Sequence, residues 1–349
     1  MAVGVTMQII AGDIGGTNTR LIFTEINDSE RLVLAESNYL CAEYSDFVQV
    51  LNLFIAENGI TLPVDTACFA IAGPVESTTV SVTNLPWVIH QQQLCDVLHT
   101  PHVTLINDFI AVAHGISELT ESDVLVLQQG QAEEGASLHT DAVVVGAGTG
   151  LGASHLVWLN DHYKLYPSEA GHVGFAPGNA QQTELLAWMQ RKHTHVSLEW
   201  LLSGKGLLTI YRFLHEVAGI VESPGVSEAM QANDPAQVIT ANALSEEDFL
   251  CQKTVDMFID IYGSAAGNVA LHYYPVDELY IAGGIAAKIH NRMRDRRFTE
   301  AFNDKGAMTS VMQKITIKLI MQDKVGLYGA LAYAHWLYNE DMRINDNFS

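Results

Sequence analysis

The chain has 349 residues, 48% of them hydrophobic and 17% charged, an ordinary globular composition long enough for one large or two medium domains around a sizeable core. Its formal net charge of −22 argues against nucleic acid or an anionic membrane surface as the main partner, because both require clustered Lys and Arg. Cys41, Cys68, Cys95 and Cys251 are scattered without CxxC spacing, the pattern of reduced core thiols in a cytoplasmic protein, and a zinc site is not expected.

Residues 1–11 are apolar but hold no Lys or Arg, the first being Arg20, so no signal peptide is expected. No uncharged apolar run approaches the ~20 residues of a membrane span. The β-rich runs 8–11 and 21–26 flank Gly12-Asp13-Ile14-Gly15-Gly16-Thr17-Asn18-Thr19-Arg20, which predicts a glycine-rich hairpin tip. Adjacent glycines admit a ligand close to the backbone, and N–H groups with the Thr17 hydroxyl can converge on one anion. Asp13 would repel a bare phosphate unless a cation or its water shell lies between them, as in Mg-nucleotide sites. An ordinary Gly-Gly hairpin accounts for the same residues.

Residues 32–41 read as a third strand. Phe47, Val50, Leu51 and Phe54 then recur at helical spacing before Gly59, and 66–72 is a buried strand ended by Gly73-Pro74. An excursion follows at 80–89, a strand pair or loop, with a helix over 91–98. Strand 102–106 delivers Asn107-Asp108 ahead of a helix over 109–116, giving βββαβαβ.

The opening order then repeats: strand 142–145, glycine turn 146–152, return strand 153–159 and third strand 163–166. Helical spacing covers 183–192, 199–202 and 206–217, and 222–235 reads as a loop. Helices continue to Tyr274, strand 278–282 stops at Gly283-Gly284, strand 315–320 follows, and the last helix is 325–338, with a loose polar tail from Asp341. Two such halves predict similar α/β domains facing a cleft. Two glycine hairpins would grip nucleotide phosphates there, and domain closure would exclude water.

Phosphoryl transfer needs positioning, charge stabilisation and a base for the attacking hydroxyl. Asp108 ends an apolar strand at the edge where open α/β sheets bind ligands, with Asn107 beside it, and is the candidate base. Capping the helix from Phe109 is the other role open to Asp108, and the two can coexist. Glu169, His172 and Glu199 are suited to sugar hydroxyls, although each taken singly also reads as a solvated or structural residue. The runs 191–193 and 292–297 read as solvated, charge-rich helix faces or ends. Gly283-Gly284 either lets adenosine lie against backbone or simply makes a tight turn.

Taken in order, the hairpin motif at 12–20, Ile106-Asn107-Asp108-Phe109, the glycine turn 146–152, Glu169-Ala170-Gly171-His172, His195-Val196-Ser197-Leu198-Glu199, the run 202–207 and Ile281-Ala282-Gly283-Gly284-Ile285 resemble the proteobacterial-type bacterial glucokinases of the actin-like ATPase and hexokinase superfamily. The resemblance covers almost the whole chain. It implies two actin-like (ribonuclease H-like) βββαβαβα domains facing a central cleft, the smaller from 1–118 plus 326–349 and the larger from 119–325 with helical insertions. It also implies ATP-dependent phosphorylation of D-glucose at its 6-hydroxyl, with Asp108 as the base and Asn107, Glu169, His172 and Glu199 on the other hydroxyls. Gly12, Asp13, Ile14, Gly15, Gly16 and Thr17 would bind ATP phosphates, Gly148 and Thr149 would form a second phosphate loop, and Gly283 and Gly284 would lie near the adenosine. Mg²⁺ would be held mainly by the nucleotide, with Asp13 acting through water, in a cytoplasmic homodimer.

Two departures stand out: Ala170 replaces a glycine, which matters if that position needs positive φ, and Trp200 stands where the family often has a charge. The Cys-rich zinc motif of the related repressor/kinase group does not follow His172. Other readings are a kinase for another hexose, such as mannose, fructose or an amino sugar, and a sugar sensor on the same fold. The sensor is disfavoured by the charge and by a first strand starting almost at Met1. An ATP-driven chaperone or filament module would leave His172 and the two glutamates without a task.

Overall fold

The computed structural model describes the backbone of residues 6–27, 30–75, 77–130, 141–159 and 162–346, with side chains to Glu340 in the last segment. The chain divides into two units, Met1–Thr120 with Gln322–Ser349, and Glu121–Met321.

In the first unit β1 (Met7–Ile14) and β2 (Asn18–Ile26) pair antiparallel from Met7↔Ile26 to Ile14↔Thr19. The hairpin therefore closes over Gly15-Gly16-Thr17 alone, and Gly12, Asp13 and Ile14 belong to the strand rather than to the nine-residue turn expected from the sequence. β3 (Arg31–Leu40) joins β2 with a bulge opposite Phe23/Thr24. Helix α1 (Phe47–Glu57), capped by the Asp46 side chain, buries Phe47, Val50, Leu51 and Phe54, one helical stripe.

β4 (Thr66–Ile71) is buried along its whole length and runs parallel to β1. The excursion is a two-stranded sheet of β5 (Thr79–Ser81) and β6 (Val88–His90), leading to α2 (Gln91–Leu98). β7 (Val103–Asn107) lies parallel to β4 and feeds α3 (Asp108–Gly115). The sheet order is β3-β2-β1-β4-β7. Register places Ile14, Ile71 and Asn107 side by side, so the C-terminal ends of three parallel strands share one edge. That edge is where an open α/β sheet exposes its strand-end loops to ligands.

The second unit opens with β8 (Val124–Gln128), then β9 (Ala142–Ala147), β10 (Leu151–Leu159) and β11 (His162–Ser168). Helices follow as α4 (Ala180–Gln190), α5 (Gly204–Glu216), α6 (Pro224–Ala232), α7 (Pro235–Leu244) and the 24-residue α8 (Phe249–His272). β12 (Glu278–Ala282) leads through α9 (Gly284–Lys288), α10 (His290–Met293), α11 (Arg297–Asn303) and α12 (Thr309–Met312) to β13 (Thr316–Ile320). The sheet order is β11-β10-β9-β12-β13-β8. Without β8 at its edge it repeats the order of the first sheet.

Four expectations change in this unit. β8 went unpredicted because its residues are half-buried or exposed without clean alternation. The 222–235 loop holds α6, whose Pro224 sits in the first turn, where a missing N–H costs nothing. Residues 199–202 give only a single 3₁₀ turn over Leu198–Trp200. The 292–297 run is solvated only in its middle, at Arg294, Asp295 and Arg296 between α10 and α11; Arg292 pairs with Asp256, and Arg297 Nη1 donates to Asp260 Oδ2 at 2.9 Å, fastening α10 and α11 to α8.

Helix α13 (Val325–Asp346) returns to the first unit, and its residues 341–346 are helical where a loose tail is expected; the rest of that tail lies outside the described residues. A first-sheet core of Phe47, Phe54, Phe69, Trp87 and Leu94 fills one face, and Ile9, Ala11, Ile22, Cys68 and Leu331 fill the other. Both faces are thus covered, as the uninterrupted apolar reading of β4 requires. The second unit packs Val143, Ile281 and Leu319 against α5 and α8. Among the described residues no helix is long and apolar enough to cross a membrane.

Candidate functional site

Asn107 ends β7 in extended backbone, and its Oδ1 accepts from Phe109 N at 2.9 Å and Ile110 N at 3.3 Å. The cap of α3 is therefore Asn107, not Asp108. The Asn107 amide also donates to Gly73 O at 2.8 Å, tying the end of β7 to the turn after β4. Asp108 is the first residue of α3, where its Oδ1 accepts from Phe109 N at 2.8 Å. Burial raises its pKa above the usual carboxylate range, against the hydrogen bonds that favour the charged form.

Asp13 is pushed up to about 6, first by burial and then by the Asp108 charge, with Arg20 opposing. Arg20 is the cross-strand partner of Asp13, and its guanidinium binds Asp323 at 2.7 Å. Two carboxylates thus share one sheet edge, and the cation opposite Asp13 is already engaged. Gly326, in the first turn of α13, faces Asp13: a Cβ there would lie 3.4 Å from Asp13 Oδ2, so the helix start comes up against that carboxylate.

The hairpin glycines divide by role. A Cβ on Gly12 would lie 2.7 Å from Leu21 Cδ2 and 2.8 Å from Phe69 Cδ1, so this glycine makes room for the core, and Ile14 is buried beside it. Gly15 closes the turn by donating to Asn18 O at 3.0 Å. Gly15, Gly16 and Thr17 are the loop residues proper, with Thr17 exposed.

In the second unit the Gly148-Thr149 loop is fixed by Gly148 N donating to Gly150 O at 2.8 Å and by Gly204 N donating to Gly148 O at 3.0 Å. Glu199 leans on this loop. Its Oε2 accepts from Leu151 N at 3.0 Å, and a Cβ on Gly150 would come within 2.5 Å of the same oxygen. Ser203 caps α5 through Gly206 N and donates to Glu199 O at 2.9 Å, which holds the 3₁₀ turn in place. Phe175 N to Val196 O and Leu198 N to Val173 O then lay the Glu199 segment beside the one carrying Glu169 and His172.

Glu169 and His172 are 91% and 63% exposed, with Oε2 and Nε2 3.8 Å apart. The left-handed non-glycine residues among those described are Asn84, His99 and Glu246, so Ala170 sits in ordinary backbone and needs no glycine. Gly171 does need one, because a Cβ there would overlap Leu151 O. Gly283 has φ +93, and its Cβ would overlap Ala147 O, whereas a Cβ on Gly148 or Gly284 would meet nothing within 4 Å. Gly283 is thus required by packing, and Gly148 and Gly284 leave open space.

Sequence reasoning missed Arg20 and Gly326 at this edge. Arg20 lies within the hairpin motif, but its pairing follows only from strand register. Gly326 carries no local signal, since only the return of α13 brings it to β1.

The glucokinase family model matches residues 10–336. The glucokinase of Trichormus variabilis is 37% identical over 336 residues, covering 92% of this chain and 97% of that protein. The glucokinase of Yersinia enterocolitica is 32% identical over 329 residues, covering 94% and 97%. The crystal structure of a glucokinase from an Antarctic psychrotroph matches with a TM-score of 0.79 at 31% identity, covering 94% of this chain and 98% of that one. The two α/β units with one strand order are the actin-like kinase fold. The matched span holds every motif from the Gly15-Gly16 hairpin to the Gly283-Gly284 turn, and the chain belongs to the glucokinase family.

Proposed function

We propose that the protein transfers the γ-phosphoryl group of MgATP to the 6-hydroxyl of D-glucose, with Asp108 as general base, and that it acts in the cytoplasm as a homodimer. The observation carrying the assignment is the Asp108 carboxyl at the start of α3, directly after β7, buried enough to bind a proton more readily than a solvated carboxylate. Ionised Asp108 takes the 6-hydroxyl proton as that oxygen attacks the γ-phosphorus in line. The bond to the β,γ-bridging oxygen breaks, and ADP leaves.

Asn107, Glu169, His172 and Glu199 would hold the remaining hydroxyls. Glu199 has its Oε2 committed to Leu151 N, which leaves Oε1 to accept from the sugar. Gly15, Gly16 and Thr17, with Gly148 and Thr149, would present N–H groups to the phosphates, and Gly284 would admit the adenosine. Gly12, Ile14 and Gly283 would support these loops from behind. Asp13 suits a cation reached through water: burial and Asp108 make its charge unfavourable in the empty protein, and a divalent ion relieves both. Such an ion would arrive with the nucleotide and would supply neutralisation of phosphate charge.

Asp108→Asn should lower glucose-dependent turnover by ~10²–10⁴-fold while leaving glucose affinity, read by titration, within a few-fold of the parent. Turnover within threefold of the parent would remove Asp108 from the role of base.

A further inference from the structure

We infer that Tyr262 is a positioning residue for the nucleotide, its buried hydroxyl holding the Gly148-Thr149 and Gly283-Gly284 turns at a fixed separation; this rests on the proposed assignment of those turns to ATP. Tyr262 lies in the middle of α8 and is fully buried. Its ring stands edge-on to Phe258, with centroids 5.8 Å apart, and to Phe298 at 5.7 Å, so its direction is set by packing.

The hydroxyl accepts from Ala147 N at 3.1 Å and lies 3.0 Å from Val145 O and 3.3 Å from Ala282 O. One proton serves the two carbonyls, so the oxygen acts as a single pin for three backbone groups on two strands. Ala147 and Ala282 are the last residues of β9 and β12, and each immediately precedes one of the glycine turns. The parallel ladder between these strands ends at Ala282↔Gly146, just where the hydroxyl takes over. The turns also touch directly, since a Cβ on Gly283 would overlap Ala147 O. A displacement of one turn is therefore passed to the other through the hydroxyl and this contact. Loops that must present N–H groups to one polyphosphate need that constancy.

Tyr262→Phe keeps the ring and removes the pin. The matched control is Thr254→Val, which deletes another buried hydroxyl of α8, one that donates to Leu250 O at 2.8 Å within the same helix. The readouts are the Kd of a non-hydrolysable ATP analogue by calorimetry, KM for ATP, KM for glucose, and Tm. Loss of one buried hydrogen bond should weaken analogue binding and raise KM for ATP about three- to tenfold. KM for glucose should stay within twofold, and Thr254→Val should move neither constant at a similar loss of Tm. Unchanged analogue affinity in Tyr262→Phe, or equal changes in both variants, would overturn the inference. Analogue binding by the parent protein without sugar-dependent turnover would instead contradict the proposed reaction, leaving the comparison of variants to decide on Tyr262. A parent protein that binds no analogue would overturn both.

Discussion

Asp13 and Asp108 lie at one sheet edge, and burial makes each hold its proton more tightly than a solvated carboxylate, with the Asp108 charge adding to the effect on Asp13. Because the folded pKa of Asp13, about 6, lies above its ordinary value of 3.8, the folded chain binds more protons than the unfolded one between those pH values. Stability therefore falls as pH rises through that window, and the cost is fully present above it. Asp13→Asn should stabilise the ligand-free protein at pH 7 by at most about 3 kcal/mol and flatten that part of the stability profile, read by denaturant titration at pH 4 and pH 7. The same change should weaken MgATP binding. Turnover should have an acidic limb, falling as Asp108 becomes protonated below its raised pKa, and Asp108→Asn should abolish that limb along with the rate.

The turn that carries Glu169 and His172 gives a second contrast. Gly171→Ala forces a methyl against Leu151 O and should cost about 1–3 kcal/mol while raising KM for glucose. Ala170→Gly relieves nothing and should change stability by under about 1 kcal/mol through unfolded-state entropy. Equal effects from the two substitutions would contradict the placement of this turn against β10.

Among the elements, α13 does more than close the first unit. A Cβ on Gly329 would overlap Ala111 O, and one on Gly115 would overlap Val325 O, so the two helices cross at glycines and α13 fixes α3, the carrier of Asp108. Gly329→Ala should push α3 away. The expected results are a lower Tm, by the equivalent of about 1–3 kcal/mol, and a kcat loss at unchanged KM for ATP, measured by calorimetry and steady-state assay.

Elements with a clean period were legible in the sequence: α1 from its stripe of Phe47, Val50, Leu51 and Phe54, and β4 and β9 from unbroken apolar runs. β8 was not, because an antiparallel edge strand paired only with β13 needs little burial and leaves little pattern. The loop chemistry of Pro224 and Gly225 hid α6, in which proline occupies the one helical turn that tolerates it. The extent of β1 and β2 was misjudged for a related reason. Glycine at position 12 reads as a turn signal, yet here it admits the side chains of Leu21 and Phe69.

At the scale of the whole molecule, the repeated strand order is the feature the sequence made plainest. Two runs of strand, glycine turn, strand, strand lead to sheets ordered β3-β2-β1-β4-β7 and β11-β10-β9-β12-β13, the second with β8 added beside β13. In each, the glycine turn joins the central strand to its antiparallel neighbour, and in the second unit a further turn follows β12. Roles were harder to read than positions. Asn107, Asp108 and Glu199 were found as candidates from local sequence, but which oxygen is committed to backbone follows only from the fold. Glu199 Oε2 is spent on Leu151, and Asn107 Oδ1 on the cap of α3.

Sugar-stimulated ADP release from MgATP reads the proposed phosphoryl transfer itself. The panel is glucose, mannose, fructose, galactose and N-acetylglucosamine, with Asp108→Asn as the matched control. Strong stimulation by glucose, weaker stimulation by the others, and near-complete loss of the glucose response in Asp108→Asn are expected. Equal basal ADP release with every sugar and with none would rule the transfer out.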